Sequence, residues 1–153
     1  MNEAVPAETT SPAAGAAARA ATRCVIVVDA ALPAGRAANA AAVIALTLGR
    51  RHPHLAGADL VDGSGEAHPG LIPIGIAVLA GTAAELGALR AKAVKAGVDV
   101  VDFPAQGQLT TDYAAFGAAV AAVATTDLTY VGVGIYGDRK AVGKLVGRFA
   151  LLK

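Results

Sequence analysis

The side chains best suited to chemistry gather between residues 50 and 70. That segment holds all the histidines of the chain and three acids: His52, His54, His68, Asp59, Asp62 and Glu66. Imidazole and carboxylate groups are common metal ligands, so the segment is compatible with a metal site. However, the His-x-His pair stands in a proline-containing loop and the acids lie across turns, which is not a standard ligand spacing. We therefore expect no metal and no other cofactor.

His68 directly precedes Pro69 and Gly70, where the backbone is stiffened. Its imidazole could face the turn that opens the first helix, or it could be hydrogen-bonded simply to hold the loop. Both interpretations stay open, and we expect His68 to be the most functionally exposed of the histidines.

Two other features resemble chemical motifs. The single cysteine, Cys24, cannot form an internal disulfide and opens an apolar run, which indicates a small core side chain rather than a nucleophile. The run from Gly132 through Gly134 to Gly137 matches the dinucleotide pattern G-x-G-x-x-G. Only 16 residues follow Gly137, too few for the second strand and the ribose-binding acid that the pattern needs. We predict instead that these glycines let a helix pack closely on a strand.

The C-terminal 16 residues are basic. They contain one acid, Asp138, and five cations: Arg139, Lys140, Lys144, Arg148 and Lys153. Lys140 and Lys144 are four residues apart and share a helix face, which Arg148 extends if the helix persists. The stripe is either a phosphate- or RNA-binding surface or a solvated helix face. Because few aromatic residues are interleaved, any RNA binding should be weak, salt-sensitive and without sequence readout.

Composition indicates one folded domain. The chain has 153 residues and a net charge of +1, with 55% hydrophobic and 16% charged residues, which excludes a disordered chain. No apolar run is long enough to cross a bilayer, so we expect no membrane partner. Glu3 and Glu8 stand where a signal peptide would be basic. We expect a flexible leader at residues 1–22, a single domain at 23–153 and a cytoplasmic location.

Strand and helix patterns alternate along the domain. We expect strands at about 24–29, 71–79, 98–103 and 128–136, and helices at about 36–49, 82–95, 112–124 and 138–147. Residues 58–65 predict a short hairpin, Thr82 with Glu85 predicts a capping box, and Thr110 or Thr111 should cap the third helix. The pattern predicts an α/β fold: a three-layer α/β/α sandwich around a mixed, mostly parallel sheet of about four strands.

In such a sheet, turns that follow parallel strands meet at one edge. The turns at residues 35–39 and 132–140 should then lie close together, so that Arg36 and either Arg139 or Lys140 bracket one anion-accepting crevice.

Four stretches of the chain resemble the bacterial family called domain of unknown function two thousand, within the peptidyl-tRNA hydrolase II-like superfamily. They are CVIVVDAALPAGRAANAAAVIALTLGRRHP, ADLVDGSGEAHPGLIPIGI, VDFPAQGQ and YVGVGIYGDRKAVGKLVGRFALL, and together they cover about residues 23–152. The resemblance implies the hydrolase II-like fold for everything except the leader.

The chain departs from the hydrolases at their catalytic motifs. Gly35 and Arg36 keep one glycine and one cation of the family's Gly-Lys-Gly-Lys turn, but Ala42 and Ala45 stand where its Gln and His would be. The family's later Asp-Ala-Gly-Arg-Thr-Gln motif aligns with residues 103–108, where only the final Gln, Gln108, is kept. Asp102 can replace the motif's acid only if the alignment shifts by one residue. An esterase needs a polar network to hold its water. We therefore expect peptidyl-tRNA hydrolysis to be absent or very weak.

Three functions fit these observations. The first is a binding module for a small anionic ligand or nucleotide, with candidate residues Arg36, Asn39, His68, Asp102, Gln108, Arg139 and Lys140, and phosphate-binding candidates Lys144 and Arg148. The second is a hydrolase of changed specificity, acting on an ester or amide through the first five of these residues. The third is an oligomeric interaction protein, such as a homodimer, that pairs through a sheet edge.

Overall fold

The central strand of the sheet grows from the apolar run that begins at Cys24. In the computed structural model, which describes Ala17 and residues 21–153, this run lies in β1 (Thr22–Asp29). Cys24 to Val28 are at most 3% exposed. β-branched side chains favour an extended backbone, and burial on both faces removes the need for polar alternation. The expected leader lies outside the described residues apart from positions 17, 21 and 22, and Thr22 already belongs to β1.

Two groups of strands form within the described residues. The remaining strands are β2 (Leu60–Val61), β3 (Ala67–His68), β4 (Ala77–Gly81), β5 (Asp99–Pro104), β6 (Tyr130–Asp138) and β7 (Ala150–Leu151). The helices are α1 (Ala34–Arg51), α2 (Ala83–Lys95), α3 (Tyr113–Ala121) and α4 (Arg139–Val146), with 3-10 turns at Pro53–Leu55 and Ala105–Gly107. Five strands form a sheet in the order β5-β6-β1-β4-β7, and β2 pairs with β3. The prediction of an α/β fold around a mixed sheet is confirmed, with one strand more than expected.

The expectation of a mostly parallel sheet is wrong. Among the strand pairs of the described residues, only β1 and β4 are parallel, while β6 runs antiparallel to β1 and β5, and β7 to β4. The alternating sequence pattern suggested a crossover helix between successive strands. However, α3, which lies between β5 and β6, buries none of its residues. The chain turns back after β5, and β6 returns antiparallel beside it instead of crossing over to a parallel position.

Helix α1 packs directly on the glycines of β6. A Cβ on Gly132 would lie 2.8 Å from Ile44 Cδ1, and one on Gly134 would collide with Ile44 and lie 3.0 Å from Leu48 Cδ1. Both glycines lie inside a strand, so the G-x-G-x-x-G run is not a phosphate-binding turn. The close helix–strand packing predicted from it is confirmed.

Alternate residues of β1 enter two separate apolar clusters. Val25 and Val27 pack with residues of α2 and α4, among them Leu86, Leu89, Val142 and Val146. Ile26 and Val28 pack in the other cluster with residues of α1, among them Ala37, Ala40, Ile44 and Leu48. The sheet therefore contributes side chains to two cores, one with α1 and one with α2 and α4.

Several local predictions are confirmed. Thr82 Oγ1 accepts a hydrogen bond from the Glu85 N–H at 3.3 Å, and the Glu85 carboxylate accepts one from the Thr82 N–H at 2.9 Å, which completes the capping box. Gly97 ends α2 with a φ of 71°, a conformation that favours glycine. The predicted hairpin at residues 58–65 forms as β2 and β3.

Other boundaries differ from the sequence expectation. The second strand was expected from residue 71, but β4 begins at Ala77, because residues 71–76 turn through Gly75, which has a φ of 67°. Asp112, rather than a threonine, caps α3 by accepting from the Ala115 N–H at 2.8 Å. Helix α4 ends at Val146, so Arg148 lies outside it. No helix of the described residues combines the length and apolar character needed to cross a membrane.

The contact of α1 with β6 predicts a clear mutational contrast. Gly134→Ala should lower the free energy of unfolding by about 1–2 kcal/mol, because the added methyl group pushes Ile44 and Leu48 of α1 away from β6. Gly87→Ala is the matched control: it lies inside α2 with open space around its Cβ position and should stabilise the protein by about 0.5–1 kcal/mol. Urea unfolding of both variants checks the pair, and equal effects would contradict the packing described.

Candidate functional site

A cleft of about 460 Å³ lies between α1, β5 and α3. Helix α1 contributes one wall, the middle of β5 contributes the floor, and the segment from the 3-10 turn into α3 contributes the other wall. The lining residues are Val43, Ile44, Thr47, Val101, Asp102, Phe103, Gly107, Thr110, Thr111, Asp112, Tyr113 and Phe116. The volume is within the range of small-molecule sites, roughly 300–1,000 Å³.

Aromatic rings shape the α3 side of the cleft. Phe116 meets Phe103 edge to face with ring centroids 6.1 Å apart, and Tyr113 lies 6.0 Å from Phe116. A Cβ on Gly107 would collide with the Phe116 ring, so glycine is required beneath it. Tyr113 is 87% exposed although it lines the cleft. Its ring can therefore be covered by a ligand at no cost to the existing core.

The polar groups of the cleft are largely committed to the chain itself. Thr47 Oγ1 donates to the Val43 carbonyl at 3.1 Å, and Thr110 Oγ1 donates to the Gly107 carbonyl at 2.7 Å. The Asp102 carboxylate accepts from Arg90 Nε of α2 at 2.8 Å, and this bond raises the pKa of Arg90 above its ordinary value. Among the residues that the structure describes, no Lys, Arg or His lines the cleft. Its surface therefore suits an apolar ligand that is neutral or cationic better than an anion.

A buried acceptor lies in the 3-10 turn that precedes α3. The side-chain oxygen Oε1 of Gln106, one residue before Gly107, is buried and has no hydrogen-bond partner within residues 21–153. Leaving such an oxygen unpaired costs about 1–3 kcal/mol.

A second polar cluster, the histidine cluster, lies where α1 ends: Arg51, His52, His54, Asp99 and Tyr136. Asp99 Oδ2 accepts from Arg51 Nε at 2.8 Å and lies 2.6 Å from His52 Nε2. His54 Nε2 lies 3.1 Å from the Tyr136 hydroxyl, and the His52 ring packs on Tyr136 with centroids 4.5 Å apart. The hydrogen bond from Arg51 is the main cause that lowers the pKa of Asp99 to about 2.

Sheet register aligns this cluster with the cysteine. Asp99 pairs with Tyr136, and Tyr136 pairs with Cys24, so the three residues form one row across β5, β6 and β1. Cys24 is buried, as predicted, and burial raises the pKa of its thiol to about 11. The thiol is therefore neutral at physiological pH and unsuited to nucleophilic attack. Within the described residues no three His, Cys, Asp or Glu side chains converge on a metal position.

The expected anion crevice does not form. Arg36 and Asn39 lie exposed in the first turns of α1, beyond the end of β1 at Asp29. β6 runs antiparallel to β1 and pairs its last residue, Asp138, with Thr22 at the start of β1. Arg139 and Lys140 follow at the end of the sheet opposite to Arg36. The prediction failed because it treated residues 132–137 as a turn after a parallel strand, whereas they are part of an antiparallel strand.

The remaining predicted site residues have separate local partners. His68 Nε2 lies 3.2 Å from Asp62 Oδ2 of its own hairpin, which supports the interpretation that it holds the loop. Backbone N–H groups of Glu66 and Ser64, and then His68, keep the pKa of Asp62 below its usual value. Asp102 bonds to Arg90, and Gln108 caps the 3-10 turn. The contacts of His68 and Asp102 thus lead away from the first helix turn and from each other.

The basic stripe is shorter than predicted. Lys140 and Lys144 are exposed on α4, whose first turn is capped by Asp138. Arg148 lies 3.6 Å from Glu85 and 5.2 Å from the centre of the Phe149 ring. Arg148 is therefore partly engaged, and two exposed lysines form the core of the stripe.

Sequence reasoning missed both the cleft and the histidine cluster. His52 and His54 were recognised as chemically capable, but their partners Asp99 and Tyr136 stand 47 and 82 residues further along the chain. No local motif announces such contacts, because the register of β5 and β6 creates them. The cleft had one available signal: Phe103 and Phe116, two of the three phenylalanines, flank the Gly107 turn.

The low pKa of Asp99 predicts a pH dependence. A carboxylate with a lowered folded-state pKa stabilises the protein above its unfolded pKa of about 4, and this contribution is lost as pH falls toward 2. Asp99→Asn should cost on the order of 1–2 kcal/mol at pH 7 and flatten the stability profile between pH 4 and 2. Urea unfolding across that range measures the difference, with the exposed Asp127→Asn as control. Parallel profiles for wild type and Asp99→Asn would contradict the assignment.

Comparisons with known proteins concern the whole fold. A solved structure from Agrobacterium tumefaciens strain C58, described as a protein of unknown function, matches with a TM-score of 0.78 at 18% identity. The match covers 85% of this chain and 96% of the other, and at that identity it shows a shared fold. No curated protein is significantly similar to the chain. The family model DUF2000, described as "Protein of unknown function", matches residues 22–153. The chain therefore belongs to the DUF2000 family.

Proposed function

We propose that this protein is a binding module whose ligand occupies the cleft between α1, β5 and α3. The observation that carries the proposal is the cleft itself: about 460 Å³, walled by aromatic and aliphatic side chains. Such a concave apolar surface with few polar groups is the usual form of a ligand site. A cytoplasmic location, which the unpaired Cys24 favours, belongs to the same proposal.

The scaffold we propose is the hydrolase II-like three-layer sandwich. The two apolar clusters support it, because α1 packs in one, while α2 and α4 pack in the other. Catalysis is not part of the proposal. Ala42 and Ala45 cannot orient a water molecule, and Asp102, the acid that a one-residue shift would bring into the family motif, is bonded to Arg90. A hydrolase would need polar side chains that position its water, and neither the alanines nor the paired Asp102 supports such a network.

The ligand class follows from the lining. An anionic ligand or nucleotide was expected, but within the described residues the cleft offers an anion the carboxylate of Asp112 and no cation, while Arg90 balances the charge of Asp102. A planar apolar group could instead lie against Phe103, Tyr113 and Phe116 and gain favourable ring contacts. We therefore propose a neutral or cationic ligand that carries an aromatic or branched apolar group.

A weak phosphate- or RNA-binding function is the second candidate. The observation in its favour is the exposure of Lys140 and Lys144 on one face of α4. These lysines lie outside the cleft lining, so the two functions would use separate surfaces.

Filling the cleft tests the first proposal. Val43 and Val94 are both exposed valines on helices, 43% and 53% accessible, but only Val43 lines the cleft. Indole serves as the probe, and we expect saturable NMR shifts at the amides of Thr47, Val101 and Phe116. Val43→Trp should weaken indole binding about tenfold or more, because the new side chain occupies the cavity. Val94→Trp, the matched control, should bind indole as the wild type does.

Two results would contradict the binding proposal. One is the absence of saturable shifts at the cleft up to the solubility limit of indole. The other is a Val43→Trp variant that folds normally and binds indole with unchanged affinity.

The second candidate has its own test. Lys140→Ala with Lys144→Ala should reduce affinity for a single-stranded RNA at low salt and lower the salt dependence by about 1–2 in log–log slope. Lys92→Ala with Lys95→Ala, which removes two exposed lysines from α2, is the control. Fluorescence anisotropy at several salt concentrations measures both. Equal losses of RNA affinity in the two double variants would indicate that RNA responds only to the total positive charge, and that the stripe is a solvated helix face.

A further inference from the structure

β5 is the outermost strand on its side of the sheet. It pairs with β6, and among the residues that the structure describes no strand pairs with its other side. The free edge of an extended strand presents a row of N–H and C=O groups that can pair with another chain. The six residues of β5 give an edge of roughly 20 Å, which matches a peptide of similar length.

The cleft borders the main chain of β5. Val101, Asp102 and Phe103 all line it, although side chains of neighbouring strand residues point to opposite faces. Val101 and Phe103 pack with the α1 cluster, whereas Asp102 bonds to Arg90 of α2. A cavity that touches three consecutive strand residues also touches the main chain between them. A ligand in the cleft therefore lies against the main chain of β5, whose outer N–H and C=O groups pair with no strand of the described residues.

The charged side chains of β5 do not block pairing at its edge. Proteins commonly protect an edge strand with free charges, prolines or bulges. Here Asp99 is bonded to Arg51 and His52, and Asp102 to Arg90, so helices on both faces hold the two carboxylates. The irregular register and the proline of β5 come at its end, between Phe103 and Pro104. The middle of the strand is open to pairing.

We propose that the ligand of the cleft is an extended polypeptide segment, which adds to the sheet as a strand beside β5. The segment seats one large apolar side chain among Val43, Phe103 and Phe116, and its main chain pairs with the edge. The Asp102 charge is balanced by Arg90, but Asp112 also lines the cleft, and among the described residues no Lys, Arg or His does. The segment is therefore neutral or basic rather than acidic. The inference rests on the proposed binding function and names its ligand class.

The test uses the full chain and pools of capped heptapeptides. Each pool has a central Phe, and its flanking positions are randomised over Thr, Val and Lys. We expect saturable NMR shifts along β5 and at the cleft residues Thr47 and Phe116. A pool with Glu in place of Lys should bind about fivefold more weakly. Val43→Trp should abolish the shifts, and Val94→Trp should leave them unchanged.

N-methylation tests the pairing of main chains. One pool is methylated at the central Phe nitrogen and another at both neighbouring nitrogens. In an added strand, alternate N–H groups face the edge, so one of these two pools should lose about tenfold in affinity and the other should keep it. Equal affinities in both would show that side chains alone bind, which would overturn the inference.

The remaining outcomes separate the inference from the binding proposal. If indole occupies the cleft but neither the Lys-containing nor the Glu-containing heptapeptide pool binds at millimolar concentration, the peptide inference is wrong and the binding proposal stands. If neither indole nor peptide binds, both are wrong. If sedimentation shows a dimer whose β5 amides are protected without peptide, a second copy covers the edge and the inference is overturned.

Discussion

The contact between α1 and the glycines of β6 determines how the rest of the domain is arranged. Ile44 and Leu48 occupy the space that side chains at positions 132 and 134 would fill, so the helix lies close to the centre of the sheet. The next helix face, with Val43 and Thr47, then overlooks β5 and becomes a cleft wall. A helix held further from the sheet would need larger side chains between them and would leave a different cavity.

Side-chain contacts on both faces hold β5 in place, and its outer edge is open. Asp99 anchors it to the end of α1 through Arg51 and His52, and Asp102 anchors it to α2 through Arg90. Charge-assisted hydrogen bonds of this kind are directional. They help to hold β5 in place, because within the described residues this strand has a hydrogen-bonded neighbour, β6, on one side only. α3 adds little support, since it buries none of its residues, although its Phe116 ring lies directly against Gly107 of the turn before it. The result is a firm strand edge beside a lightly packed aromatic wall.

Much of the fold was predictable because it depends on local patterns. The apolar β-branched run at Cys24, the Thr82–Glu85 capping box and the stop at Gly97 each follow from short-range chemistry. The direction of β6 was not predictable in this way. A strand, a helix and another strand suggest a parallel crossover, but β6 pairs antiparallel with β5, and α3 is not packed as a buried crossover helix.

The candidate site was predictable to a lesser degree. Asp102 was selected from the family motif and does line the cleft, yet its carboxylate is bonded on the other face. Arg36 and Arg139 carry the right charge for an anion site but stand at opposite ends of the sheet. Cavities and long-range pairs depend on strand register, which a single sequence specifies only through the sum of its packing preferences.

The most direct measurement is native-state hydrogen exchange, resolved by residue, on the full chain without ligand. Amides that pair β5 with β6 should exchange as slowly as those of the core strands β1 and β6, while the alternate amides of β5 should exchange orders of magnitude faster, because water reaches them on the open edge. Uniform protection along the whole of β5 would contradict the account, since it would mean that the edge is already covered.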